Sequence, residues 1–207
     1  MWGEAMIILC SDGLSSGKLS SCVKARLREC NTAALVVTAD HVYKEKNYHV
    51  KRCVGELEHL GLSVNLFDLD TQSADALLGY DVVEFIGGNP FYLLHAIINS
   101  GAQDVLRAVA ARKVLIGWSA AAFVFGPTLE LVNAYSPEMN FPGLTDLHGL
   151  ALTDVEVLPH YSRFLGRFDR FEERCRAYEA ERGVRVIRLD DGDGVLIDGE
   201  TVEVCRI

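Results

Sequence analysis

Residues 113–122 read KVLIGWSAAA, and this stretch decides the fold. It begins as a short continuous run of apolar residues, which is typical of a strand buried on both faces of a parallel sheet. It then passes through Gly-Trp-Ser into three alanines that open a predicted helix. A buried strand that turns sharply through Gly-x-Ser into a helix has the build of a nucleophile elbow.

Ser119 stands at the tip of this turn. In an elbow the flanking residues are small and the serine Oγ projects above the sheet. The next backbone N–H, here that of Ala120, points at a reacting carbonyl oxygen. The helix N-terminus adds partial positive charge where an oxyanion would form. The alternative is an ordinary strand end with Ser119 as a helix N-cap. The motif alone leaves both open, because Ala121 stands where the elbow pattern has its last glycine.

The rest of the chain alternates in the same way between apolar runs and helical periodicity. Strands are predicted at residues 5–10, 33–38, 62–67, 81–86, 113–117, 155–158, 184–187, 195–197 and 201–204, and helices at about 44–60, 91–100, 104–112 and 168–182. This alternation predicts an α/β three-layer sandwich, with a mainly parallel sheet and helices on both faces. No linker or repeat interrupts residues 1–207, so a single domain is expected. Ligands of such sheets bind beyond the carboxyl ends of the strands.

The loop after the fourth predicted strand carries Gly87, Gly88, Asn89 and Pro90. Asn is a good helix N-cap and Pro fits the first helical position, so a helix should begin here. Paired glycines let a backbone approach a ligand closely, which would allow the Gly88 N–H to donate to an oxyanion. A tight turn whose glycines serve geometry alone explains them at least as well.

Two further loops carry titratable residues at strand ends. His160 follows the sixth predicted strand, where a general base could meet Ser119, although in isolation an ordinary core or solvated histidine explains it better. Residues 189–194 read LDDGDG, which is a turn composition. A calcium loop is excluded there because, counted from Asp191, its later ligand positions fall on apolar residues. One of these carboxylates could instead orient the His160 imidazole.

Composition limits what the chain can bind. It has 20 Lys and Arg against 29 Asp and Glu, a formal charge of −9, and 49% apolar residues. This apolar content excludes disorder, and the negative charge argues against sequence-independent nucleic-acid binding. No apolar run approaches the about 20 residues of a membrane span, and Met1–Met6 lacks the basic start of a secretory signal. The six cysteines form no Cys-x-x-Cys, so we expect buried thiols in a reducing cytoplasm and no metal, nucleic-acid or membrane partner.

Taken together, the motifs resemble the aspartyl dipeptidase (dipeptidase E) and cyanophycinase family of serine peptidases. The similarity covers nearly the whole chain and rests on the order of the motifs. A Gly-Gly-Asn turn is followed by Gly-Trp-Ser-Ala with Pro127-Thr128 close behind, then a Pro-His strand end, then an acid-Gly turn near the C-terminus. The resemblance implies a class I glutamine-amidotransferase-like α/β fold.

By this resemblance Ser119 is the nucleophile, His160 is the general base, and Asp191 is the third member of a triad, where dipeptidase E has Glu. The oxyanion hole would use the backbone amides of Gly88 and Ala120. The chain order Ser-His-Asp separates this family from the α/β-hydrolases, whose order is Ser-Asp-His. The resemblance implies no metal and no organic cofactor.

Three positions depart from the family pattern. Ala121 replaces a glycine, Ala134 replaces an aspartate, and Phe171 replaces an arginine that resembles a reader of acidic substrates. Arg163, Arg167 or Arg170 could supply the missing charge, although a solvated charge on a helix surface explains each of them at least as well. The candidate substrate-binding residues are Asn89, Arg163 and Arg170.

The expected function is that of a cytoplasmic serine peptidase acting on small peptides, with dipeptides that begin with Asp as the narrower candidate. The protein is expected to be a monomer or a small homo-oligomer. A binding or regulatory protein on the same fold is the second hypothesis, and the three departures support it. An amidase or esterase is the third, because a fold does not determine a substrate. A glutamine amidotransferase is disfavoured, because its chemistry uses a cysteine where this chain has Ser119.

Overall fold

The computed structural model describes residues 5–207. Most of the Met1–Met6 stretch, which is predicted not to be a secretory signal, therefore lies outside the described residues. Across residues 5–207, no helix has both the length and the apolar character that crossing a bilayer requires.

A seven-stranded, mainly parallel sheet forms the middle of the fold. In chain order the strands are β1 (Met6–Cys10), β2 (Thr32–Val36), β3 (Ser63–Phe67), β4 (Val82–Phe85), β5 (Val114–Trp118), β6 (Glu156–Leu158), β7 (Val186–Arg188), β8 (Gly194–Asp198) and β9 (Thr201–Cys205). The sheet order is β3-β2-β4-β5-β1-β8-β9, in which the first five strands run parallel, β8 pairs antiparallel with β1, and β9 pairs antiparallel with β8. Strands β6 and β7 form a separate parallel pair.

Helices cover both faces of this sheet. They are α1 (Gly17–Lys24), α2 (Val50–His59), α3 (Pro90–Asn99), α4 (Gln103–Ala110), α5 (Ala120–Phe125), α6 (Glu130–Tyr135), α7 (Tyr161–Leu165) and α8 (Phe171–Arg182). The buried residues of α1 and α2 belong to one apolar cluster, and those of α3 to α6 and α8 belong to another. The predicted three-layer α/β sandwich is confirmed.

Strand β1 shows why the central strands read as continuous apolar runs. Ile7 and Leu9 pack into the larger cluster, whereas Met6, Ile8 and Cys10 pack into the cluster under α1 and α2. Successive side chains of a strand point to opposite faces, and here both faces are covered. Every residue of the strand is therefore buried.

Several helix boundaries differ from the predicted ones. The helix predicted from about residue 44 begins at Val50, because Asp40 accepts hydrogen bonds from the amides of Val42 and Tyr43 and holds the preceding chain in a turn. The helix predicted from residue 168 begins at Phe171, since the residue before it has a left-handed backbone with φ 48°. Helices α1, α6 and α7 were not predicted. They have 8, 6 and 5 residues, too few to establish a period.

Candidate active site

The turn between β5 and α5 holds Ser119 in an uncommon conformation, with φ 53° and ψ −109°. Its amide donates to the carbonyl of Cys10, and its own carbonyl accepts from the amide of Ala122. Residue 117 must be glycine, because a Cβ there would lie 2.5 Å from the ring of Phe125, which folds back over the strand. A strained residue so firmly held is common where a side chain must be presented to a ligand.

The structure brings together Ser119, His160 and Asp191, which are separated by 41 and 31 residues in the chain. His160 Nε2 lies 3.0 Å from Ser119 Oγ, and His160 Nδ1 lies 2.6 Å from Asp191 Oδ1. An ionised carboxylate only accepts hydrogen bonds, so the Nδ1–H donates to Asp191. Nε2 is then left as the acceptor for the Ser119 hydroxyl.

Asp191 remains ionised at neutral pH. Its side chain is half-buried, and burial raises the pKa of the carboxyl. The hydrogen bond and charge of His160, the hydroxyl of Ser11 and the guanidinium of Arg163 outweigh this effect, so the pKa of Asp191 is lowered below its ordinary value. The carboxylate is therefore available to hold the imidazole tautomer described above.

Ser11 is a member of this cluster that the sequence reasoning missed. It is fully buried and directly follows β1. Its Oγ donates to Asp191 Oδ1 over 2.9 Å and accepts from the backbone N–H of His160 over 2.8 Å. One hydroxyl thus links the loops that carry the base and the acid. A signal was present in the sequence, because Ser11 occupies the carboxyl end of a buried strand, where ligands of such sheets bind.

Ser11 should behave as a positioning residue. We expect Ser11→Ala to lower about tenfold the kcat of a reaction in which His160 deprotonates Ser119, and to leave KM nearly unchanged, since one hydrogen bond to a charged group is worth roughly 1.5 kcal/mol. Steady-state kinetics would measure this split. Ser15→Ala, which removes an exposed hydroxyl four residues away, is the control and should match the wild type. Equal kcat values for Ser11→Ala and Ser15→Ala would contradict this role.

The two expected oxyanion donors lie beside the serine. Gly88 and Ala120 line the same cavity as Ser119 and His160. Within residues 5–207 neither amide donates to a protein acceptor. Gly88 has φ 154°, and a Cβ there would overlap the carbonyl of Ala39, so only glycine fits. Both residues therefore line the cavity, and no protein acceptor within residues 5–207 uses their backbone N–H groups.

The three candidate substrate-binding residues are placed differently. Asn89 caps α3 by accepting from the amide of Tyr92, and its amide group donates to the carbonyl of Met139. Arg163 lines the cavity and forms an ion pair with Asp191. Arg170 does not line the cavity; it is exposed and pairs with Glu173 on the first turn of α8. The structure therefore brings Arg163, and with it Arg167, to the cavity and leaves Asn89 and Arg170 outside its lining.

One group of potential metal donors lies under α2, on the opposite face of the sheet from the cavity. Atoms of Cys53, Glu56 and Glu84 lie within 4.8 Å of one another. Glu56, however, already uses both oxygens, for Arg52 and for the amide of Leu14. Two uncommitted donors are fewer than the three or four protein ligands of zinc sites, so we assign this group no metal.

Comparison with known proteins identifies the family. The family model described as peptidase family S51 matches residues 7–205. The chain belongs to peptidase family S51. This confirms the resemblance that the motif order suggested.

Relatives of the S51 chain carry peptidase names. An uncharacterized peptidase of Listeria innocua is 28% identical over 83% of this chain and 82% of its own length. An uncharacterized peptidase of Listeria monocytogenes is 32% identical over 63% of this chain and 66% of its own length. A peptidase E of a Nostoc species is 28% identical over 63% of this chain, and the match spans only 50% of that protein.

Two solved structures share the fold of this chain. A peptidase E-like protein from Listeria monocytogenes EGD-e matches 99% of both chains with a TM-score of 0.77 and 24% identity. A peptidase from an acI-B1 Actinobacterium covers 99% of this chain and 88% of its own with a TM-score of 0.72 and 16% identity. At these identities the likeness is one of fold.

Proposed function

We propose that this S51 protein is a serine peptidase that hydrolyses small peptides, with Ser119, His160 and Asp191 as its catalytic residues. The observation that carries the proposal is the chain of hydrogen bonds from Ser119 Oγ through the imidazole to Asp191. Ser119 and His160 line one cavity together with Gly88 and Ala120, whose backbone amides are available. This arrangement supports the roles of nucleophile, base, orienting acid and oxyanion donors that the proposal gives to these groups.

Acylation begins when Ser119 Oγ attacks the carbonyl carbon of a peptide bond and passes its proton to His160 Nε2. The carbonyl oxygen becomes an oxyanion, which the N–H groups of Gly88 and Ala120 stabilise. Each such donor is worth about 3–4 kcal/mol in known cases. Asp191 stabilises the imidazolium that forms. The C–N bond then breaks as the imidazolium protonates the leaving amine, and an acyl-serine remains.

Deacylation repeats these steps with water. His160 takes a proton from a water molecule, whose oxygen attacks the acyl carbon, and the same two amides hold the second oxyanion. Collapse of this intermediate releases the carboxylic acid and returns the proton to Ser119 Oγ. His160 carries every proton that is transferred in the proposed cycle, and water is the co-reactant.

The cavity suits a short substrate. Its volume is about 310 Å³, at the lower end of the about 300–1,000 Å³ of typical small-molecule sites. A dipeptide or the end of a short peptide fits such a space, whereas a folded protein does not. An acidic first residue remains the narrower candidate from the family resemblance. Action in the cytoplasm is part of the proposal.

Labelling with a fluorophosphonate tests the serine mechanism. We expect Ser119 Oγ to displace fluoride from the phosphorus, so that intact-mass spectrometry shows one phosphonyl adduct on the wild type. Ser119→Ala should show none. Ser162→Ala, which removes an exposed serine from α7, is the matched control and should label like the wild type. An unlabelled wild type would favour a binding protein, and an adduct that persists in Ser119→Ala would place the nucleophile elsewhere.

A further inference from the structure

We infer that the cavity beside Ser119 receives a bulky apolar or aromatic side chain from the residue whose carbonyl is attacked. This inference rests on the proposed function and names the substrate class of the same site. It departs from the N-terminal Asp that the family resemblance implies.

The interior wall of the cavity is built from apolar side chains. Its apolar lining includes Phe123, Val132, Tyr135, Met139, Phe164 and Phe168. Three of the rings pack on one another, with centroids 5.0 Å apart for Tyr135 and Phe168 and 5.3 Å apart for Phe164 and Phe168. Such offset and edge-on packing makes a rigid apolar surface that a further ring or branched chain can join.

The basic residue expected for an acidic substrate is replaced by part of this aromatic cluster. Phe171 stands at the position of the family arginine and is 2% exposed. Its ring lies 5.1 Å from that of Tyr135 and 5.7 Å from that of Phe168. The position therefore adds apolar packing behind the cavity wall, where a guanidinium would have provided charge.

The charged residues of the cavity lie at its exposed rim and have partners. Arg163 pairs with Asp191, and the Arg167 guanidinium lies 5.2 Å from the ring centroid of Phe168. The third, Glu138, accepts a hydrogen bond from the Ser136 hydroxyl. An acidic side chain would lose its hydration in the apolar interior without meeting a buried cation, because Arg163 and Arg167 lie at the exposed rim beside Glu138. An apolar side chain meets no such penalty.

Two active-site probes that differ only in one side chain test the inference. They are diphenyl α-aminoalkylphosphonates, from which Ser119 Oγ displaces phenoxide, with a benzyl group in one and a carboxymethyl group in the other. We expect the benzyl probe to label Ser119 about 100-fold faster than the carboxymethyl probe. The benzyl group gains free energy from apolar burial, whereas the carboxylate would be buried without a compensating cation. The labelling rates would be followed by intact-mass spectrometry.

The fluorophosphonate of the previous test separates the two hypotheses. If it labels Ser119 and the carboxymethyl probe reacts as fast as the benzyl probe or faster, the substrate inference is overturned and the serine mechanism stands. The inference is likewise overturned if neither side-chain probe labels a protein that the fluorophosphonate modifies. If the fluorophosphonate itself fails, the proposed function falls and the inference falls with it.

A cavity-filling variant provides a second measurement. Val132 lies on α6 in the cavity wall and is 2% exposed. We expect Val132→Phe to slow labelling by the benzyl probe. The factor by which it slows should be at least ten times the factor for a probe with a methyl side chain. Val105→Phe on α4, outside the cavity, makes the same exchange as a control. Equal slowing of both probes in Val132→Phe would overturn the inference. Should this variant not fold, the wild-type ratio alone decides.

Discussion

Replacing Asp191 by Asn should lower kcat for peptide hydrolysis by about 10³–10⁴-fold. The Asn side chain can donate from its amide nitrogen, so it stabilises the imidazole tautomer that carries its proton on Nε2. That tautomer can no longer accept the proton of Ser119 Oγ. The 2.6 Å bond between His160 Nδ1 and Asp191 Oδ1 shows that residue 191 is close enough to determine the tautomer. Steady-state hydrolysis of a dipeptide series would measure the loss.

Asp191→Glu is the informative partner of that variant. It keeps the carboxylate and adds one methylene, and the family resemblance places glutamate at this position in dipeptidase E. Because Asp191 is only half-buried, the longer side chain has room to adjust. We expect a loss of no more than about 30-fold, with thermal stability like that of Asp191→Asn. If Asp191→Asn lost less than tenfold, or if both variants lost equally, Asp191 would not be the residue that orients His160.

The parts of the site that could be predicted are those in which a local pattern carries the geometry. The stretch 113–122 predicts its strand, its turn and its helix, since a buried strand can enter a helix so abruptly only through small residues. The loop at Gly88 is similar, because a positive φ and the nearby Ala39 carbonyl both require glycine. In each case the reason for the residue lies in the local backbone geometry.

The parts that escaped prediction depend on contacts between distant segments. Ser11 acquires its role from Asp191, 180 residues away, and no spacing in the chain reveals that meeting. The aromatic wall of the cavity is another example, since Tyr135 on α6 meets rings that precede and begin α8. Phe171 could be recognised as a departure from the family pattern. Its role in closing the cavity wall follows only from the packing.

Glu84 should make the protein less stable as the pH rises, which is the reverse of the usual carboxylate effect. The residue lies in the middle of β4, has no exposed surface, and within the described residues neither of its oxygens has a hydrogen-bond partner. Burial, reinforced by the nearby charge of Glu56, raises the pKa of Glu84 to about 8, although the charge of Arg52 acts in the other direction. The side chain is therefore mainly protonated in the folded protein at pH 7.

The direction of the effect follows from linkage. Between the ordinary pKa of Glu, near 4.5, and about 8, the folded state binds a proton that the unfolded state has released. The free energy of unfolding therefore falls as the pH rises through this range. The fall amounts to roughly 3–6 kcal/mol once the pH exceeds about 8, because each unit of pKa difference corresponds to about 1.4 kcal/mol. This is a large part of the stability of an ordinary domain.

Glu84→Gln isolates this contribution. The amide has the shape of the protonated carboxyl and does not titrate, so the variant should lack the decline between pH 5 and 9. Denaturant unfolding across that range would give the difference between wild type and variant, in which the titration of groups that do not interact with Glu84 cancels. Strand β4 leads into Gly87, and the ring of Trp118 packs against Gly87. Because Trp118 precedes Ser119, ionisation of Glu84 should disturb the segment next to Ser119 first. Parallel stability curves for the two proteins would show that Glu84 ionises in the folded state near its ordinary pKa.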